Sequence, residues 1–401
     1  MNNKYQNFKL GDFCKLKYGE SLPERNRMPG AFPVYGSGGI TGYHNKSLVT
    51  GPGIIIGRKG SVGTIYYEKN DFFPIDTVFY AQVDTEICDI KYLQYYLPTL
   101  ALDSFNNDSA VPGLNREAAE MQKCNIPCKA TQRKIASILS AYDDLIENNN
   151  RRIQILEEMA QRIYREWFVH FRFPGHENVK MVDSELGKIP EGWESKRMDE
   201  LVGDSRNAIV DGPFGTQMKV SEYVDSGVPV VEMPYLEGGI ITKHFENFVT
   251  ESKYTQLKRS TALSGDIVMS KTGTLGLVGI IPDNVDRAIV VSRLARIQPS
   301  SDSPNRFFLF ESLKAMTRVG YWNHISSGST MPMLNLGHLK RLTLALPDRN
   351  SLALFEKLCG RFHSQIYSLK IKNQNLRKTR DLLLPRLISG RLDVEDLDIE
   401  V

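Results

Sequence analysis

Apolar and polar residues follow a helical period in two long stretches of the chain. Over residues 130–170, apolar positions recur every three or four residues with charged residues between them. This spacing predicts an amphipathic helix of about 38 residues and ~57 Å. A second stripe of the same kind covers residues 351–384, and Pro385 and Gly390 are expected to end that helix. Both predicted helices are longer than an ordinary surface helix.

Neither predicted helix can leave its apolar stripe in water, so each needs a partner. Because a whole domain separates them in sequence, they are free to pair as an antiparallel coiled coil with pseudo-two-fold symmetry. Asn149 falls on the first seam, where it either fixes the register as a buried residue or lies half exposed. The second seam is interrupted near its middle by Lys370, Lys372, Asn373 and Asn375. These residues put tight packing there in doubt.

The segments outside the helices carry strand and turn signals. Residues 8–115 combine Gly, Tyr, Phe and short β-branched runs, a pattern that favours strands and loops over helices. Strand candidates occur at residues 54–56, 228–231, 238–242 and 266–269. Residues 171–192 are polar and punctuated by Pro and Gly, which predicts a linker.

The chain also repeats itself after about 220 residues. SAVPGLN at residues 109–115 returns as STMPMLN at residues 329–335, with four of seven positions identical. Pro127 and Pro347 follow at the same distance, and GSVG at residues 60–63 corresponds to GTLG at residues 273–276. A short apolar run precedes each glycine motif, at residues 54–56 and 266–269. These four matches in the same order indicate a duplicated structural unit.

Repeat and periodicity together predict an α+β fold with two similar β-rich domains joined by the two paired helices. The predicted boundaries are residues 1–129 for the first globular domain and 130–170 for the first helix. They continue with 171–192 for the linker, 193–350 for the second globular domain, 351–390 for the second helix and 391–401 for a C-terminal tail.

Composition places few further limits on function. The 401 residues carry a formal charge of +3, too small a surplus to indicate nucleic-acid binding without a basic face. Five cysteines, an odd number, favour a reducing compartment. Cys124 and Cys128 lack a second metal-ligating pair and are interpreted as buried thiols. Without a signal peptide or an apolar run long enough to cross a bilayer, the protein is expected in the cytoplasm.

The sequence contains no convincing catalytic constellation. Residues 57–61 lack the spacing of a phosphate-binding loop, and neither HExxH nor GxSxG occurs. The glycine-rich cofactor loop and NPPY-like tetrapeptide of DNA amino-methyltransferases are also missing.

Polar and basic side chains on glycine-rich turns are the candidates for nucleic-acid contacts. Glycine lets the backbone approach a phosphate, and neighbouring Lys or Arg supplies charge. The first domain offers Ser37, Tyr43, Lys46, Arg58, Lys59 and Ser61, with residues 106–109 as further small donors. The second domain offers Phe214, Lys271, Thr272, Thr274, Ser292, Arg293 and Ser327. Each residue taken alone is better explained as an exposed turn side chain, but the parallel placement in both domains favours DNA contacts for the set.

These motifs together resemble the DNA specificity subunit of type I restriction-modification systems. The resemblance rests on the repeated SxxPxLN turn before a proline and a long helix. It rests also on FPVYGSGGITGY at residues 32–43, IIIGRKGSVG at residues 54–63 and GKIPEGW at residues 187–193. It covers essentially the whole chain.

The resemblance implies a DNA-binding subunit that performs no chemistry itself. Each globular domain would be a target recognition domain reading one half of a bipartite asymmetric site in double-stranded DNA, with the helices as a spacer. Two methyltransferase subunits and two restriction subunits would be the partners. S-adenosylmethionine, ATP and Mg²⁺ would belong to those partners, and this subunit would hold no cofactor or metal and contact no membrane.

Two other classes of function stay open from the residues alone. A coiled-coil scaffold that joins proteins and ignores DNA would share the helices. The recognition part of a single-protein restriction system would carry methyltransferase motifs, which are not visible here. A nuclease would need clustered carboxylates with a lysine, and no persuasive set is found.

Overall fold

The computed structural model describes residues 5–105, 113–203, 207–214, 217–237, 239–242, 245–301, 305–328 and 332–399. The chain divides into two compact units. The first unit comprises Met1–Glu147 and Gln374–Val401, and the second comprises Asn148–Asn373. Both unit boundaries therefore fall inside long helices.

The first unit is built on a four-stranded antiparallel sheet. Its described strands are β1 (Tyr5–Lys9), β2 (Cys14–Tyr18), β3 (Phe32–Gly36), β4 (Gly39–His44), β5 (Gly53–Gly57), β6 (Ile65–Glu68), β7 (Phe73–Pro74), β8 (Val78–Val83) and β9 (Lys123–Pro127). Its helices are α1 (Leu10–Phe13), α2 (Ile90–Tyr96), α3 (Arg116–Glu120) and the start of α4 (Lys129–Tyr164). The main sheet has the order β2-β8-β5-β6, while β3 pairs with β4 antiparallel and with β7 parallel.

The central strand β5 is buried on both faces of the main sheet. Ile54, Ile55 and Ile56 are all fully buried. Successive side chains of a strand point to opposite faces, so Ile54 and Ile56 join one apolar cluster and Ile55 joins another. A strand covered on both faces reads as a continuous apolar run, as residues 54–56 do.

The second unit has a main sheet with the same strand order. Its described strands are β10 (Met181–Ser184), β11 (Gly187–Pro190), β12 (Glu194–Arg197), β13 (Ile209–Asp211), β14 (Val228–Val231), β15 (Phe248–Val249), β16 (Thr261–Leu263), β17 (Ile267–Ser270), β18 (Val278–Ile280), β19 (Arg287–Val290), β20 (Leu294–Ile297) and β21 (Thr343–Leu346). Its helices are α5 (Met198–Leu201), α6 (Glu251–Gln256), α7 (Arg306–Arg318), α8 (Tyr321–Ile325), α9 (Leu336–Lys340) and most of α10 (Arg349–Ile388). The order β13-β20-β17-β18 matches β2-β8-β5-β6, and β14 pairs in parallel with β19 as β3 does with β7.

The duplication predicted from the repeat is therefore confirmed at the level of topology. Asn115 accepts a hydrogen bond from the amide of Ala118 and caps α3, as Asn335 does for α9 through the amide of Gly337. The repeated prolines precede α4 and α10 by the same two positions. Residues 109–112 and 329–331 of the repeated turn, and the candidate donors 106–109, lie outside the described residues.

Some elements differ from the sequence prediction. Helices α2 and α7 were not predicted from the sequence. In α7, residues 307–313 are buried on every side of the helix. The predicted strand at 238–242 is wrong: residue 238 lies outside the described part, and Ile240 forms an isolated bridge with Ile280. Residues 171–192, predicted as a linker, contain the β10–β11 hairpin of the second unit.

In the first unit, the beginning of α4 packs antiparallel to the end of α10. Ile135 and Leu139 of α4 share the apolar core with Leu387 and Ile388 of α10. Arg380 of α10 forms an ion pair with Asp143 of α4, which also accepts a hydrogen bond from Tyr95 at 2.5 Å.

The prediction that Pro385 ends the second helix is wrong. Proline removes one backbone donor from a helix, but α10 continues through Pro385 to Ile388. Leu387 and Ile388 are buried in the core of the first unit, and this burial favours the extra turn. Gly390 then adopts φ +71° just after the helix.

In the second unit, the end of α4 packs antiparallel to the beginning of α10. Phe355 of α10 lies with its ring centroid 6.3 Å from that of Tyr164 and 4.8 Å from that of Phe168. The chain leaves α4 through a π-helical turn, Arg165–Val169, in which Trp167 and Phe168 are buried. With this turn, the helical segment runs from Lys129 to Val169.

A buried amide pair joins the two helices within the second unit. Asn149 is 3% exposed, and its Nδ2 donates to Oδ1 of Asn373 at 2.8 Å. Nδ2 of Asn373 donates in turn to Oδ1 of Asn150 at 2.9 Å. The buried alternative for Asn149 is therefore correct, and Asn373 interrupts the apolar seam because it is the matching partner. Nearby, burial lowers the pKa of Lys370 to about 8.

The cysteines are only partly as expected. Cys124 is buried, but Cys128 is exposed, so the prediction of a buried thiol is wrong at residue 128. Cys128 directly precedes α4, and its Sγ lies 3.4 Å from Oγ1 of Thr131 in the first helical turn.

Replacing Asn149 by Leu should lower the free energy of unfolding by ~1–3 kcal/mol, because it leaves the buried carbonyl of Asn373 without a donor. Replacing both Asn149 and Asn373 by Leu should recover most of this loss, since no buried amide then lacks a partner. Asn148→Ala, at the neighbouring exposed position, is the control. Chemical denaturation of the full chain measures the three changes, and a single Leu variant as stable as the unmutated protein would contradict the role of the pair.

Candidate nucleic-acid interface

Equivalent loops join the inner and outer strands of each main sheet. The first loop, residues 58–64, connects β5 to β6, and the second loop, residues 271–277, connects β17 to β18. The amide of Gly63 donates to the carbonyl of Gly57 at 2.9 Å, and that of Gly276 donates to Ser270 at 3.1 Å. Both of these loop-closing glycines have positive φ, +76° and +80°, which explains why the repeat conserves glycine at this place in both halves.

The repeated turn clamps each loop through the backbone. The amide of Leu114 donates to the carbonyl of Arg58 at 2.9 Å, and the amide of Leu334 donates to that of Lys271 at 2.8 Å. An isolated bridge follows in each case, between Lys59 and Gly113 and between Thr272 and Met333. Two sequence signatures that lie far apart along the chain therefore meet at one place in each unit.

Most of the predicted contact residues gather around these loops. In the first unit, Oγ1 of Thr64 donates to the carbonyl of Ser37 at 3.0 Å, which brings Ser37 beside Arg58, Lys59 and Ser61. In the second unit, the amide of Lys271 donates to the carbonyl of Arg293 at 2.9 Å. The other members of the second cluster are Phe214, Thr272, Thr274, Ser292 and Ser327.

Tyr43 and Lys46 do not join the first cluster. Ser37 lies in the turn between β3 and β4, whereas Tyr43 pairs with Pro33 near the other end of the hairpin. At ~3.3 Å per residue, the two ends of β4 are more than 10 Å apart. Tyr43 and Lys46 are both exposed, so their predicted role is as a separate contact surface.

Neutral groups hold Arg58 in place. Its Nε and Nη2 donate to the backbone carbonyl of Asp76 at 3.2 and 2.7 Å. Its guanidinium carbon lies 5.1 Å from the ring centroid of Tyr18, and that of Arg116 lies 5.4 Å from the same ring. Tyr18 is half exposed. Sequence reasoning missed Tyr18 and Arg116; the one signal was that Arg116 directly follows the repeated Leu-Asn pair.

The equivalent lysine in the second unit is in a different state. Lys271 is buried, its Nζ lies 3.5 Å from Oδ2 of Asp211, and the same atom is 4.9 Å from the ring centroid of Phe214. The residues left exposed around this loop are Phe214, Thr274, Arg293 and Ser327, while Thr272 and Ser292 are half-buried. The individual DNA contacts of both clusters stay predictions.

In each unit, the glycine that directly follows the edge strand of the main sheet lies very close to the backbone of a neighbouring segment. The amide of Gly19 donates to the carbonyl of Val78 at 3.3 Å, and that of Gly212 donates to Leu294 at 3.2 Å. A Cβ on Gly19 would lie 2.2 Å from the carbonyl oxygen of Ile75, and one on Gly212 would lie 2.3 Å from that of Val290. Only glycine fits this approach.

Within the described residues, no group of three or more His, Cys, Asp or Glu side chains is arranged to hold a metal ion. The same part of the chain contains no helix that is long and apolar enough to cross a membrane.

The sequence matches the model of one known protein family in both of its halves. The family described as "Type I restriction modification DNA specificity domain" matches residues 2–158 and again residues 190–378. The chain belongs to this family. Its two matches coincide with the two halves of the internal repeat, so the duplication seen in the strand order is a duplication of the specificity domain.

The chain is similar to known specificity subunits over most of their length and most of its own. The type I restriction enzyme MjaIX specificity subunit of Methanocaldococcus jannaschii is 26% identical over 77% of this chain and 70% of its own. The MjaVIII specificity subunit of the same organism is 23% identical over 97% of this chain and 93% of its own. The crystal structure of a type I restriction-modification S subunit from M. genitalium shares the fold, with a TM-score of 0.65 and 16% identity over 96% of both chains.

Family membership makes this chain a type I specificity subunit, whose role is DNA recognition and not catalysis. Its α+β architecture of two repeated domains with long helices is the one expected from the sequence. The functional site of this chain is therefore a surface that recognises DNA.

Replacing Gly19 by Ala should lower the stability of the first unit by ~1–3 kcal/mol, because the added methyl overlaps the backbone of Pro74 and Ile75. Gly38→Ala is the matched control, since a Cβ there meets nothing within 4 Å. Thermal unfolding of the full chain measures both. Equal midpoints for the two variants would show that the close approach at Gly19 is not required.

Proposed function

We propose that each unit reads one half of a bipartite, asymmetric DNA site, using the loop cluster beside its main sheet. One observation carries the proposal. The two units share one strand order and one backbone clamp, yet equivalent positions on the clusters differ in chemistry. Arg58 corresponds to Lys271, Lys59 to Thr272 and Tyr18 to Asp211. The same framework with unlike side chains is suited to reading two unlike sequences.

We further propose that the helices set the gap between the two half-sites. The support is that the boundary between units falls within both α4 and α10, so each helix contributes to both units. The Asn149–Asn373 pair holds the register of the two helices, as a spacer of defined length requires.

The helices are also the proposed docking place for two methyltransferase subunits, with two restriction subunits completing the assembly. In this scheme S-adenosylmethionine, ATP and Mg²⁺ act in the partner subunits and not in this chain. The complex would work on double-stranded DNA in the cytoplasm.

Exchanging residues 8–115 for those of another specificity subunit should change one half of the methylated site and leave the other half unaltered. The reason is that each loop cluster is closed within its own unit by backbone hydrogen bonds. Genome-wide methylation mapping of cells expressing the chimera with its methyltransferase measures the outcome. The reciprocal exchange in the second unit is the control, and a chimera in which both halves change would contradict independent reading.

Inserting one helical turn of four residues in both helices, after Glu147 and after Asn373, should widen the unread gap. Each insertion adds about 6 Å, which corresponds to one or two base pairs. The control inserts four residues in the exposed turn at Leu186 between β10 and β11, and should leave the gap unchanged. Methylation mapping reads out both, and an unchanged gap in the doubly lengthened chain would contradict the spacer role.

A further inference from the structure

Tyr18 and Asp211 occupy the same position in the two units. Each is the last residue of the edge strand of its main sheet, β2 or β13. Each directly precedes the glycine that approaches the neighbouring strand, Gly19 or Gly212, whose amide bonds to Val78 or Leu294. Each also contacts the first residue of its loop, Arg58 or Lys271. The equivalence therefore rests on strand position, backbone bonding and contact alike.

The two residues differ in what they do to the charge of the loop cation: Tyr18 contacts it with an aromatic ring, whereas Asp211 pairs with it. Tyr18 offers Arg58 an aromatic face, and the hydrogen bonds of Arg58 go to a neutral backbone carbonyl. Among the described residues, neither Arg58 nor Arg116 has a carboxylate within 4.0 Å. The ring fixes the guanidinium in place through cation–π contact, and its charge stays available.

In the second unit the carboxylate of Asp211 neutralises the loop cation. The side chains of Lys271 and Asp211 are 6% and 12% exposed, so the pair is nearly enclosed. For Lys271 to contact a phosphate, it would have to leave its buried partner and strand the charge of Asp211, which is strongly unfavourable. The exposed hydroxyls of Thr274 and Ser327, and Arg293 beside them, remain as contacts in this cluster.

We propose that the residue at the end of the edge strand, Tyr18 in the first unit and Asp211 in the second, decides whether that unit presents its loop cation to the DNA backbone. The first unit then supplies more of the salt-dependent affinity, through Arg58 with Lys59 and Arg116. The second unit reads its half-site with more neutral donors. This inference rests on the proposed function, because it takes DNA as the ligand of both clusters.

The test compares the loop cations at their equivalent positions. Each cation that neutralises a phosphate contributes ~0.9 to the slope of log Kobs against log salt concentration. Arg58→Gln in the full chain should therefore lower the magnitude of the slope by ~0.9. Lys271→Gln combined with Asp211→Asn, which removes both charges of the buried pair, should leave the slope unchanged. Binding is measured on a duplex that carries the site found by methylation mapping.

Two further variants test the edge-strand residue itself. Tyr18→Asp should give Arg58 a counter-ion and lower the slope, whereas Tyr18→Phe keeps the aromatic face and should not. Asp211→Asn alone leaves Lys271 charged without its partner and should raise the slope by up to ~0.9. Circular dichroism and the thermal midpoint show that each variant is folded before its slope is compared.

The outcomes separate this inference from the proposed function. If the unmutated chain binds DNA with a steep slope but the Lys271→Gln/Asp211→Asn variant loses as much slope as Arg58→Gln, the inference is overturned and the proposed function stands. An unchanged slope for both Arg58→Gln and Tyr18→Asp would overturn the inference equally. If the unmutated chain retards no duplex at low salt, the proposed function itself fails.

Discussion

The backbone clamp between the repeated turn and the loop is the constraint on which the rest of each unit depends. The amides of Leu114 and Leu334 bond to the carbonyls of Arg58 and Lys271, and these bonds use no side-chain atoms. The loop therefore keeps its position whatever side chains it carries. A buried backbone group must find a partner, so the clamp resists change, while the exposed side chains beside it are free to vary. This division suits a DNA specificity domain, because the side chains of the loop can change while its backbone stays in place.

The two long helices also combine contacts that tolerate change with contacts that do not. Their ends are held by apolar residues in each unit, including Leu387 in the first and Phe355 in the second. Apolar seams tolerate sliding, because one leucine replaces another at little cost. The Asn149–Asn373 pair removes that freedom, since any shifted register would leave a buried amide without a partner. The apolar seam supplies stability, and the amide pair fixes the register of the two helices.

Sequence reasoning recovered the features that repeat and the features with a regular period. The helices showed their stripes, and the duplication showed in the Pro-x-Leu-Asn turns, because Asn115 and Asn335 each cap a helix and are needed twice. Features that depend on contacts between distant residues were not recovered. Lys271 looks exposed in a glycine-rich loop, and only the fold brings Asp211 beside it. Pro385 looks like a helix end, but burial of the residues after it outweighs one lost hydrogen bond.

If the two units are equivalent frameworks that read DNA independently, a chain with two copies of the same recognition segment should show it. In such a chain, the recognition segment of the first unit replaces that of the second, while α4 and α10 are kept. The site methylated by this chain with its methyltransferase should be symmetric, with both halves equal to the half read by the first unit. A site that stays asymmetric, with the original second half intact, would show that the recognition segment does not by itself determine the half-site.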